Sequence, residues 1–241
     1  MDGNWLDIGV LVVIGGFFLI GLSSGLIFSA FRLFTIALSM LLSLSLYKRI
    51  ADIIFGTYAE TVIGTLVYDG FRSNPEVSAA QQALDVEGVL DGIASSLRLP
   101  RGMADAMFTK PESLSAVRPT SLFGEIDIIR HFSDQCTRAV ISLFCIIVTF
   151  VALRVVISLV KIFLDELSAM KMFRLFNYIV GPALGLAEGV FTVYVALSVV
   201  MLVNVIVQND FIWNLLSQSR LAQSLYENNL FLNFTLRRIS F

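Results

Sequence analysis

The sequence predicts an all-α fold: a polytopic transmembrane helical bundle of about four spans, with an amphipathic helical insert between spans 2 and 3. Three observations predict it. Of 241 residues, 56% are hydrophobic and only 15% charged, more apolar and less charged than a water-soluble domain. Apolar runs near the length of a bilayer crossing occur before residue 50 and again after residue 138. Between them the sequence is rich in Ser, Asp, Glu and Pro, and its apolar residues fall at helical spacing rather than in continuous runs.

Residues 1-49 read as a transmembrane hairpin. Ile8 to Leu22 is apolar, and only Asp2 and Asp7 precede it, so the positive start of a secretory leader is missing and a retained span is expected. A turn is expected at Ser23 to Gly25. Starting the second span at Leu26 gives it the roughly 20 residues a crossing needs before Lys48 and Arg49 end it. Gly21 and Gly25 flank that corner four residues apart, either as turn residues or as a small-residue patch for helix contact. Residues 50-138 form the insert. Ile53 to Tyr68 is apolar but broken by Glu60 and two glycines, which suits an interfacial or packed helix. Asn74-Pro75-Glu76 is a helix start with Pro at the first helical position, and Val77, Ala80, Leu84, Val89, Leu90 and Ile93 supply an apolar face. Pro100, Pro111 and Pro119 divide the rest into short pieces.

Residues 139-207 form a second hairpin. The uninterrupted apolar run from Ala139 stops at Arg154, making about 22 Å of helix against a hydrocarbon core of roughly 30 Å. Arg154 must therefore lie inside the boundary or snorkel to it. Ser158, Lys161 and Asp165 follow at offsets of four, seven and eleven, on one helical face. That face is either a polar stripe lining a cavity or a helix end turned to headgroups; the second is expected, because Arg and Lys near span ends snorkel routinely. In the fourth span, Phe176 to Val207, Gly181, Gly185 and Gly189 lie one below the other, with Glu188 beside them. Spans in lipid associate by close backbone approach, and a strip without side chains permits it, so this segment reads as the packing centre. Pro182 is expected in the first turn of its helix, which makes Glu188 a helix-start acid. In residues 208-241, polar residues alternate with apolar ones, predicting one or two interfacial helices with Trp213 at headgroup level.

Several function classes lose their basis. A formal net charge of -2 without a basic block gives nucleic acid no footing. His131 is the single histidine, and Cys136 and Cys145, about 13 Å apart on one helix, read as buried thiols rather than a disulfide. There is no phosphate-cradling glycine loop, no serine-histidine or cysteine-histidine pairing and no metal-ligand spacing, so no catalytic residue, cofactor or metal is expected. The expected partners are the lipid bilayer and, at the glycine strip, a second copy or other envelope proteins. The alternative is a small transporter or channel subunit whose ion route is lined by Glu188, Arg154 and Lys161, since charges inside a membrane are functional candidates by default.

An Asp opening the first span, a glycine corner before the second, and a last span of the form N-x-x-x-G-x-x-x-G-x-x-(charged)-G resemble the colicin V production protein family. The matching positions are Asp7, Gly25, Asn177, Gly181, Gly185, Glu188 and Gly189. The likeness covers the membrane halves and leaves out the insert. Where the family usually has Arg, an acid and often Lys, this chain has Ser24, Ser29 and Glu188. The resemblance implies a bacterial cytoplasmic (inner) membrane protein of about four spans, associated with toxin production and envelope maintenance and without catalytic activity.

Overall fold

The computed structural model describes residues 5–108, 127–164, 174–207 and 210–239, with side chains for all of these except 25–27, 101, 102, 105, 160–164, 174–179 and 210–212. Every regular element among the described residues is a helix. In chain order they are α1 (Trp5–Ile54), α2 (Tyr58–Ser73), α3 (Pro75–Gln82), α4 (Val86–Ser96), α5 (Arg101–Met107), α6 (Ile128–Leu164), α7 (Arg174–Val207), α8 (Asp210–Ser217), α9 (Arg220–Glu227) and α10 (Leu230–Arg238). Four helical stretches are long and apolar enough to cross a membrane: Trp5–Ser24, Phe28–Ile54, Ile128–Leu159 and Val180–Val207. This is compatible with an integral membrane protein.

The corner expected at Ser23 to Gly25 is not a break in the helix, since α1 is helical over all 50 of its residues. Straight, it would be about 75 Å long. Two contacts show that it is not straight. Gly21 lies against Gly181 and Gly185 of α7, and Gly189 lies against Ile14, so the first part of α1 runs antiparallel to α7. Continued straight, α1 would carry Arg32 about 16 Å beyond Gly21, away from Glu188. Arg32 nevertheless meets Glu188 at 3.2 Å, so α1 folds back between Gly21 and Arg32. Ser23, Ser24 and Gly25 occupy that interval, and Gly/Ser pairs are a known cause of sharp kinks. The Ser23 hydroxyl donates to the Ile20 carbonyl there, at 3.0 Å.

The third long helix already begins at Ile128, ahead of the span start expected at Ala139, because its charged residues Arg130, Asp134 and Arg138 share one exposed face while Phe132, Ser133, Cys136 and Thr137 are buried. One further expectation changes. Pro182 is interior to α7, which starts at Arg174, so Glu188 is no helix-start acid. A proline inside a helix removes one backbone donor and bends the axis.

The chain forms two compact units. The first comprises Met1–Tyr47, Cys145–Val199 and Phe211–Phe231. Here the tail folds onto the spans: the Phe231 ring packs against Phe150 and Phe191 at 6.1 and 5.7 Å between centroids, and the Asn229 amide donates to the Tyr194 carbonyl at 2.8 Å and the Ser198 hydroxyl at 3.2 Å. The tail makes three helices, not one or two. Ser219 starts a new one by accepting from the Ala222 N–H at 3.1 Å.

The second unit comprises Lys48–Phe144, Val200–Asp210 and Leu232–Phe241. Its core includes Val67, Phe71, Val77, Val89, Ile93 and Phe132, all buried. The expected start at Asn74-Pro75 is present: Asn74 Oδ1 accepts from Glu76 N–H at 2.9 Å and Val77 N–H at 3.4 Å. Gln81 Oε1 then accepts the N–H groups of Ile128 and Ile129 at 2.8 and 3.2 Å, satisfying orphan donors at the start of α6. Leu84 is not part of the apolar face. It follows α3 with φ 55° and is exposed.

Candidate functional site

Three apolar runs of this chain carry one charge each. Between Asp7 and Lys48 the only charged residue is Arg32; between Arg138 and Lys161 it is Arg154; between Arg174 and Asp210 it is Glu188. The fold brings all three together. Glu188, 2% exposed, lies between two guanidinium groups: Arg154 Nη2 donates to Oε1 at 2.5 Å, and Arg32 Nε lies 3.2 Å from Oε2. The Arg32 contact is an ion pair without hydrogen-bond alignment, so Arg32 Nε and Glu188 Oε2 are buried with no hydrogen bond. Arg32 Nη2 also donates to the buried Ser29 hydroxyl at 3.3 Å. One carboxylate against two guanidiniums leaves the cluster at a net +1.

The physical reason for the meeting is desolvation. An unpaired charge in hydrocarbon or a packed bundle costs several kcal/mol, and a single carboxylate within reach of two cations relieves both. The expectation that Arg154 and Glu188 face headgroups from helix ends therefore gives way to a buried cluster joining the second part of α1 to α6 and α7. Its partner Arg32 was absent from the candidate residues. The usable signal was its isolation in a long uncharged run.

Beside the cluster, the glycine strip holds the first part of α1 against α7. A Cβ on Gly21 would stand 2.5 Å from the Gly181 carbonyl oxygen and 3.1 Å from Gly185 Cα. One on Gly185 would fall on the Phe17 carbonyl oxygen and lie 3.1 Å from Gly21 Cα; one on Gly189 would be 3.0 Å from Ile14 Cα. Gly21 is thus a backbone contact, and the strip is occupied from within the chain. Gly25 lies in helical backbone, but its surroundings are outside the described residues, as are the side chains of Asn177 and Lys161 and the whole of Asp165.

The remaining sequence-selected residues are dispersed. Ser158 is exposed on α6, one turn beyond Arg154, and both line a cleft of about 440 Å³ against Thr192 and Val195 of α7. Asp7 ties the start of α1 to the tail, accepting from the Ser219 hydroxyl and from the Leu221 N–H, the latter at 3.0 Å. No group of three His, Cys, Asp or Glu residues that could hold a metal occurs among the described residues. No family model, curated protein or solved structure matches the chain.

Proposed function

We propose that this chain is a non-enzymatic integral membrane protein with an accessory or scaffold role in bacteriocin production or export and envelope maintenance, as its resemblance to the colicin V production proteins implies. The observation that supports this reading is the way the polar groups are used. Glu188 is buried and is shared between two arginines while the glycine strip locks α1 to α7 beside it. Such an arrangement suits a rigid platform for partners in the bacterial inner membrane. The test is complementation of a bacterial strain that carries a colicin V operon and lacks its own production protein. This chain should restore toxin release; failure to do so at normal membrane accumulation overturns the proposal.

The second reading is an ion route lined by Glu188, Arg154 and Lys161. The observation in its favour is the position of Arg154, 29% exposed, between the buried Glu188 and the outward cleft. It requires ion flux through the purified chain in sealed vesicles, abolished by Glu188→Gln.

A further inference from the structure

The cleft between α6 and α7 has a polar end and an apolar end. Arg154 and Ser158 form the first; Phe150, Val151 and Val195 form the second, one to two turns away, and the Thr192 hydroxyl beside Phe150 is taken up by the Glu188 carbonyl. Its volume, about 440 Å³, falls in the range of about 300–1,000 Å³ typical of small-molecule sites. The direction of this gradient follows from the chain. Arg154 is seven residues before Lys161, the next charge along α6. The guanidinium therefore lies about 10 Å inside the apolar run, with Ser158 nearer its charged end and Phe150 and Val195 deeper. An Arg at that depth reaches toward phosphates while its stem lies along apolar surface.

The open side of the cleft is apolar as well. Val151 is 49% exposed and Val155 55%, and they continue a stripe of exposed Phe144, Val148 and Leu159 along α6. In a membrane that stripe faces acyl chains, so an occupant reaches the cleft sideways from the bilayer. The net +1 of the cluster selects its charge, because Glu188 balances only one of the two arginines and Arg154 is the one that lines the cleft.

Resting on the integral-membrane reading above, we propose that this cleft is a site for one acidic phospholipid, its phosphate on Arg154 with the Ser158 hydroxyl beside it, and its acyl chain along Val151 and Val195. The Arg–Glu–Arg cluster holds the guanidinium in place for that anion.

The purified full-length chain, exchanged into mixed micelles with equal phosphatidylglycerol and phosphatidylcholine of the same acyl composition, is assayed by native mass spectrometry for retained lipid. Phosphatidylglycerol should be retained about five-fold over phosphatidylcholine, the gain expected from one cation near an anionic headgroup. Arg154→Gln should remove the preference, and Ala196→Phe, which fills the cleft and leaves the cluster intact, should lower retention of both lipids. If Arg154→Gln fails to accumulate, Ala196→Phe alone decides. Equal retention of the two lipids by the wild type, or retention unchanged by Ala196→Phe, overturns the lipid site. Release of the wild-type chain from membranes by alkaline carbonate overturns the membrane reading itself, which separates the two failures.

Discussion

Replacing Glu188 by Gln keeps the length of the side chain and one acceptor oxygen, and removes one negative charge from a cluster at net +1. The cluster then stands at +2. Both guanidiniums contact the same carboxylate, so their contacting nitrogens lie within roughly 8 Å of each other; at an effective dielectric of about 20 their repulsion is at least about 2 kcal/mol. Breaking a buried pair by removing one partner costs about 3–5 kcal/mol. Exposures of 18% for Arg32 and 29% for Arg154 let both side chains swing outward, which places the expected loss near the lower end, about 3 kcal/mol. The assay is equilibrium unfolding of the purified protein in mixed detergent. Glu188→Gln should lose about 3 kcal/mol, and adding Arg32→Gln, which returns the cluster to +1, should recover about 1–2 kcal/mol. A single variant within about 0.5 kcal/mol of the wild type, or a double variant no more stable than the single, would refute the reasoning.

Gly185→Leu should prevent the antiparallel contact of α1 with α7, because even its Cβ meets the Phe17 carbonyl and Gly21 Cα. Accumulation in membranes and resistance to proteolysis should both fall; unchanged values would show that the strip is not a contact. Trp213 packs edge-on to Tyr226 at 5.8 Å between centroids, so with Trp5 replaced its emission should be that of a shielded indole and should move toward the water-exposed position in Tyr226→Ala. An already water-exposed spectrum in the parent protein would contradict the docked tail. Burial pushes the Tyr226 hydroxyl up to about 12 from its ordinary 10. Its folded pKa is raised, so its contribution to stability is complete below pH 10 and is lost as pH rises through 12; ultraviolet tyrosinate absorbance should show a late-titrating component that is missing in Tyr226→Phe and becomes ordinary on unfolding.

The class of the fold and the helix start at Asn74-Pro75 were legible because they depend on local chemistry. Apolar length determines whether a helix can cross a bilayer, and Asn74-Pro75 starts a helix wherever it occurs. One misreading is clear: Pro182 was expected at a helix start, a local rule applied where the helix continues upstream. The first part of α6 continues because buried Phe132 and Cys136 pack within the second unit, and α1 stays helical through its fold-back.

By itself, the sequence determined that this chain is helical, that four stretches can span a membrane, and that the glycines of the fourth leave a face without side chains. These are properties of composition and period along one segment. Only the tertiary structure decided which backbone fills that face, Phe17 and Gly21 of α1, and that Arg32, Arg154 and Glu188 share one buried site. A charge read in isolation gives the cost of burying it but not its partner. The partner depends on how chain segments far apart in sequence are placed in space, and on the low dielectric that makes leaving any of the three alone more costly than bringing them together.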